Sequence, residues 1–417
     1  MFAFKQLTKK RVGRLDKRWD FDAQSVITSA PLVADIDGDG KKEIIFGTKK
    51  GKLFVLDRDA GIKWFYDSNE KVDDVELMFL DVENASNIEA PPNVGDLNGD
   101  GKIEVVFGTE LGIIYVLNDK GKLLWKYKAG GAVRGQVLLY DLYQDNDLKV
   151  IFGCEDNKLY ALNSNGKLVW RFDAGSPVQS TPGIMHKDKP YIVFGANDGS
   201  VFCVNNKGDM VWKFKTKDKV FAPPAIGKLF KDDRIFVVIG SSDHVLYVLD
   251  DAGELFWEYK TQGAILAKAC LSDINNDNKL EIVFGSCDNN VYALTPDGDK
   301  MWSYETDFWI VSEPIVEDID DDGRKEVIVG SYDHNLYVLD SEGSYILDYM
   351  PGLGGVVHQT GHYSSIITQE PGKVTGKKIW QFKTEGIIVG CAYIPEDKSI
   401  VVNTKPGLVN DLVHKKE

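Results

Sequence analysis

Residues 149–172 read KVIFGCEDNKLYALNSNGKLVWRF, with near-copies at 236–259 (FVVIGSSDHVLYVLDDAGELFWEY) and 281–304 (EIVFGSCDNNVYALTPDGDKMWSY). Each copy is an apolar strand ending in glycine, a polar turn, a strand of the LYVLD type, an Asn/Asp-Gly turn, and a strand carrying Trp-x-aromatic. With the short apolar segment ahead of it, each unit holds four strands of about five residues and no helical period. The strand-ending glycines are Gly47, Gly108, Gly153, Gly195, Gly240, Gly285 and Gly330, separated by 61 residues at first and by 42 to 45 thereafter. A four-stranded sheet of this size cannot bury both faces alone, whereas sheets set radially bury them against each other. The sequence predicts an all-β chain forming a single β-propeller domain over 1–417.

Eight four-stranded blades are expected, roughly at 28–67, 90–128, 135–173, 179–215, 221–260, 266–305, 312–349 and 386–413. The tryptophan strand recurs at Trp64, Trp125, Trp170, Trp212, Trp257 and Trp302, and in degenerate form at Leu347-Asp348-Tyr349. The last unit has three strands and no tryptophan strand. Residues 16–22 supply one through Arg18-Trp19-Asp20-Phe21. Pairing the N-terminal strand with the C-terminal blade closes the ring and removes an open sheet edge. Segments 68–89 and 350–382 break the repeat and read as insertions. The second ends in KIWQF, which leaves a degenerate ninth blade as the alternative.

Hydrophobic residues make up 43% of the 417 positions and charged residues 27%, enough to build a large core. Acidic residues outnumber basic ones 64 to 49, and a net charge of -15 disfavours phosphate backbones, so no nucleic-acid partner is expected. No run approaches the about 18 apolar residues of a membrane span, and a monomer is expected. The five cysteines are scattered without a CxxC pair and suggest no disulfide framework. The first residues lack the apolar stretch of a signal peptide. As the sequence reads the protein is cytoplasmic, and extracellular or periplasmic if a leader has been removed.

Four turns between first and second strands are acidic: Asp35-Ile-Asp37-Gly-Asp39-Gly-Lys41-Lys-Glu43, Asp96-Leu-Asn98-Gly-Asp100-Gly-Lys102-Ile-Glu104, Asp273-Ile-Asn275-Asn-Asp277-Asn-Lys279-Leu-Glu281 and Asp318-Ile-Asp320-Asp-Asp322-Gly-Arg324-Lys-Glu326. Side-chain oxygens at positions 1, 3, 5 and 9, with the carbonyl of position 7, form a donor set for a hard cation that takes 6 to 8 oxygens. Calcium fits better than magnesium, which keeps several waters. An EF-hand is excluded, because position 12 of the first turn is Phe46 and the flanks are strands. Up to four calcium sites are expected. The third is the weakest, since Asn278 replaces the glycine at position 6, and the related turn at Asp141 ends in Lys149 instead of glutamate.

These acidic loops followed by Phe-Gly strands resemble FG-GAP repeats of the integrin α type. The LYVLD strands with Asp-Gly turns and Trp-x-aromatic are similar to PQQ-like repeats of quinoprotein dehydrogenases. The first resemblance implies calcium bound by the four turns. The second implies the propeller without its chemistry: quinoproteins hold their cofactor against a disulfide between adjacent cysteines, which this chain lacks, so no PQQ is expected.

No HExxH, GxSxG, P-loop or GxGxxG motif occurs. The face opposite the acidic turns is built from second-to-third-strand turns and inter-blade connections, where loops are freer to carry function. Its ligand-face candidates are Arg134, His244, Trp309, His334, His358 and His362, with Lys49, Gln179, Asp243 and Asp333 nearby. A calcium-stabilised, non-catalytic scaffold for a protein or glycan is the expected function. The alternative is a glycan-active enzyme such as a calcium-dependent polysaccharide lyase, with Arg134 neutralising a uronate and a histidine as base.

Overall fold

The computed structural model describes residues 14–69, 87–345, 374–405 and 407–415, and their regular elements are all β-strands. They form eight four-stranded antiparallel sheets, the blades of one propeller. Blade 1 runs Leu32–Ala34, Glu43–Gly47, Lys52–Leu56 and Ile62–Asp67, from the inner strand outward. Blades 2 to 6 repeat this order, ending at Leu123–Lys128, Leu168–Asp173, Met210–Lys215, Leu255–Lys260 and Lys300–Glu305. Their second and third strands are buried almost throughout, while outer strands alternate toward solvent.

Two contacts explain the repeat's signature residues. The glycine of each Phe-Gly strand faces a β-branched side chain from the connection to the next blade. A Cβ at Gly47 would lie 2.3 Å from Ile88 Cγ2, and the same holds for Gly108 against Val133, Gly240 against Ile265 and Gly285 against Ile310. Only glycine leaves room for that side chain, so the strand ends in Phe-Gly because the neighbouring blade occupies the space. In blades 1 to 6 the tryptophan of the outer strand donates its Nε1–H to a carbonyl of the following blade: Trp64 to Asp119 (2.9 Å), Trp125 to Ser164 (2.7 Å) and Trp302 to Ser341 (2.7 Å). A turn glycine with positive φ lies over the ring, as Gly121 does over Trp64 and Gly253 over Trp212.

Ring closure follows the expectation. Arg14–Asp22 pairs with Leu408–Lys415 as the outer strand of blade 8, whose other strands are Ser399–Lys405 and Ile387–Ile394. Trp19 donates to the Arg58 carbonyl of blade 1 at 2.8 Å, the same bond that joins blades 1 to 7 in succession. Arg18 and Arg58 converge on Asp397 at 2.7 and 2.6 Å and on the buried Asp411 at 3.2 and 3.7 Å.

Blade 7 corrects the reading of 350–382 as an insertion following a completed blade. Its outer strand is Val374–Lys383, and Trp380 sits opposite Val338 as Trp302 sits opposite Ala293. The third strand, Asn335–Tyr345, continues past Asp340 and pairs Tyr345 with Val374. The additional residues therefore fall inside the hairpin between third and fourth strands, which displaced KIWQF from its period. Leu347-Asp348-Tyr349, His358 and His362 lie outside the described residues, as does most of 68–89.

Candidate functional site

The acidic turns lie at one end of the blades. In all four the position-9 glutamate is buried, and it accepts the backbone amide of position 2: Ile36 to Glu43, Leu97 to Glu104 and Ile274 to Glu281 at 2.9 Å, and Ile319 to Glu326 at 3.0 Å. Oxygens of Asp35, Asp37 and Asp39 lie within 4.8 Å of one another, as do those of Asp318, Asp320 and Glu326. Asn278 takes φ 63° without a glycine, so the third turn has the same backbone as the others. This set of hard oxygens, with a buried carboxylate at its base, fits a calcium ion. Asp35, Asp37, Asp39 and Glu43, and their counterparts Asp96, Asn98, Asp100, Glu104, Asp273, Asn275, Asp277, Glu281, Asp318, Asp320, Asp322 and Glu326, would hold it. The carbonyls of Lys41, Lys102, Lys279 and Arg324 would complete it. In the first turn the Lys63 ammonium stands among these oxygens, 2.6 Å from both Asp37 and Glu43.

At the opposite end, the inter-blade connections share a register. The carbonyls of Asn87, Ala132, Lys219 and Trp309 accept the amides of Glu110, Glu155, Ser242 and Tyr332. Two residues further along each connection, the chain lines a central cavity of about 820 Å³. Blades 1 to 4 are approached there through Thr28, Glu89, Arg134 and Gln179, and later blades through Phe221, Leu266 and Val311. The mouth thus has a charged arc and an apolar arc.

Arg134 is committed within the charged arc. Its guanidinium grips Glu110 with two bonds, at 2.7 and 2.9 Å, and lies 2.8 Å from Glu155 and 3.4 Å from Glu89. Gln179 also bonds Glu155. Three carboxylates around one cation leave nothing to neutralise a uronate, which corrects the role expected for Arg134. Burial, followed by the hydrogen bond and charge of Glu110, pushes Glu89 up to about 7, against the pull of Arg134 and Lys405. Burial also raises Glu110, but Arg134 outweighs it and holds that carboxyl below the ordinary range. These glutamates were missed in the sequence. Their signal was the acidic residue after the second strand of blades 2 and 3, where other blades have Lys49, Asn197, Ser242, Cys287 or Tyr332.

His244 and His334 are turn residues. Both have positive φ, 70° and 73°, in the slot filled by Asn157, Gly199 and Asn289 in other blades. Their carbonyls accept the hydroxyls of Thr261 and Thr384, each at 3.0 Å. Asp243 and Asp333 are bonded by Tyr247 and Tyr337 at 2.8 and 2.7 Å. This Asp–Tyr pairing fixes each turn to the strand beside it. The five cysteines are free, and burial pushes the thiols of Cys270 and Cys287 up to about 11 and of Cys154, Cys203 and Cys391 to about 12, which suppresses thiolate nucleophiles.

Trp309 stands apart. Eight of the nine tryptophans occupy outer strands, one per blade, whereas Trp309 lies in the connection between blades 6 and 7. It is 44% exposed and stacks with Phe308, 45% exposed, at 5.2 Å between ring centres, with Tyr332 at 6.5 Å.

The family model of the lambda-carrageenase β-propeller domain matches residues 130–199, 194–263 and 250–350, together more than half of the chain. The chain belongs to this family. No curated protein matches the sequence. Among solved structures, BamB from Moraxella catarrhalis is similar at TM-score 0.63 and 16% identity, over 97% of this chain and 98% of that one. The computationally designed Ika8 protein gives 0.62 and 16%, over 94% and 97%. BBS1N, solved in complex with ARL6DN, gives 0.51 and 14%, over 77% and 90%. At these identities the likeness is one of fold.

Proposed function

We propose that this protein is a calcium-stabilised β-propeller acting as a non-catalytic binding scaffold for a protein or glycan partner. Its partner binds the face built from the inter-blade connections. The observation that carries this reading is the Phe308–Trp309 platform: two large stacked rings, nearly half exposed, on the one tryptophan that holds no blades together. Aromatic faces of this kind supply binding area for sugar rings and for apolar side chains at little entropic cost. The lambda-carrageenase family name favours a glycan. The complex of BBS1N with ARL6DN supports a protein partner for this fold.

Affinity electrophoresis in gels containing carrageenan or an uncharged galactan tests the platform. Wild-type protein should be retarded by at least one of them, and Trp309→Ala should lose about 30-fold in affinity, the about 2 kcal/mol of a hot-spot aromatic. Retardation that survives Trp309→Ala would overturn the anchor. Unaltered mobility in every polysaccharide would remove the glycan partner.

One observation favours the enzymatic alternative. Glu89, half protonated near neutrality at the rim of the cavity, could act as a general acid on a glycosidic bond. Release of new reducing ends that Glu89→Gln abolishes would establish it. Among the described residues a lyase gains no support, because Arg134 is already neutralised and the slots of His244 and His334 are those of turn residues.

A further inference from the structure

Five turns share one backbone, in blades 1, 2, 3, 6 and 7. In each, the first-position carboxylate accepts the amide of position 6: Asp35 from Gly40, Asp96 from Gly101, Asp141 from Asn146, Asp273 from Asn278 and Asp318 from Gly323, at 2.8–2.9 Å. In each, positions 4 and 6 have positive φ; in blade 3 these are Gln144 at 57° and Asn146 at 58°, in blade 6 Asn276 at 62° and Asn278 at 63°. The blade 3 turn is therefore folded like the candidate calcium turns while lacking their ligand set.

Three of its side chains depart from that set, and two of them face the third, the Lys149 ammonium. Position 9 is Lys149, whose side chain is 3% exposed and whose ammonium lies 2.9 Å from Asp147 Oδ2 and 3.2 Å from Asp145 Oδ1. It also donates to the Asp147 carbonyl, the position-7 oxygen that a calcium ion would take. Position 7 is acidic here, where the other turns carry Lys41, Lys102, Lys279 and Arg324. Position 3, an oxygen ligand elsewhere, is Tyr143, and the ammonium lies 5.1 Å from the centre of its ring. A metal ion needs an oxygen at that place, whereas an ammonium is well served by an aromatic face.

We propose that the Lys149 ammonium is the built-in cation of the blade 3 turn, occupying covalently the place that a divalent ion takes in the related turns. The metal turns of the comparison rest on the calcium reading; the role of Lys149 does not. Burial lowers its basicity, but the bonds and charges of Asp147 and Asp145 outweigh burial and hold it charged above the ordinary lysine range. Blade 3 is thereby fixed at any metal concentration.

The test uses full-length protein. In excess EDTA, Lys149→Met should melt several degrees below wild type, and Lys149→Arg, which keeps the charge, should recover much of the loss. Tyr143→Asp combined with Lys149→Glu should rebuild a metal turn: after loading with calcium and gel filtration, mass spectrometry should count one more calcium per chain than in wild type. A Lys149→Met protein that melts like wild type in EDTA would overturn the proposal. If it melts lower while neither wild type nor the double variant retains calcium, the ammonium role stands and the calcium reading of the other turns falls.

Discussion

Glu89 illustrates what one residue gains from its neighbours. In the sequence it is an acid at the end of a broken repeat; in the fold it shares a guanidinium with Glu110 and Glu155. Its folded value of about 7 lies above the ordinary 4.5, so the native state binds an extra proton between those limits. The stability it contributes is complete at low pH and is lost as pH rises through about 7. The lowered Glu110 acts in the opposite sense and below that window. Urea midpoints of wild type and Glu89→Gln, compared from pH 5 to 8, should diverge, with wild type losing stability relative to the variant as pH rises. A difference that stays constant across that range would rule out the shared proton. The carboxylates were legible as residue types, but their convergence on Arg134 was not, because the connection into blade 2, blade 2 itself and blade 3 each supply one.

Among elements, the closing strand carries the most consequence. Arg14–Asp22 is joined to blade 8 by backbone pairing and to blade 1 by Trp19 and Arg58. Arg58, 16% exposed, offsets the charge of Asp411, which is fully buried, and of Asp397, whose carboxyl sits at about 2: burial raises it, and bonds from Arg18, Arg58 and Ser399 outweigh that effect. Replacing Arg58 by alanine leaves a buried carboxylate short of a partner and should cost about 3 kcal/mol in chemical denaturation. A loss below about 0.5 kcal/mol would mean that the strand closes the ring without these charges. Trp19 announced this closure in the sequence because it keeps the tryptophan motif. The outer strand of blade 7 kept its motif as well, at Trp380, but lost its spacing: an interruption inside a hairpin shifts everything after it without altering the register of the pairing.

Over the whole molecule the four acidic turns bind neighbouring strands at one end of the ring. Each is an excess of carboxylate that a divalent ion would relieve. A native-only ligand at 100 times its dissociation constant adds about 2.7 kcal/mol per site. Metal-stripped protein should therefore melt several degrees higher on calcium titration, with a smaller response to magnesium. The first turn should respond at higher calcium than the others, because Lys63 must leave. No calcium-dependent shift would reduce all four turns to self-bonded hairpins.

The sequence by itself determined the all-β propeller, seven of its eight tryptophan stations, its closure and the position of the acidic turns; the station of blade 7, at Trp380, came only with the structure. Each is written in local patterns that the repeat multiplies, and the physical demands behind them, a glycine beneath a neighbour's side chain or an amide capped by a carboxylate, lie within one blade and the next. Only the tertiary structure decided which charges meet. Arg134 with three glutamates and Lys63 in the first turn depend on side-chain reach across strands and around the channel, and no spacing along the chain encodes that reach; Lys149 and Tyr143 share one turn, and there the folded backbone of the turn set the ammonium against the ring.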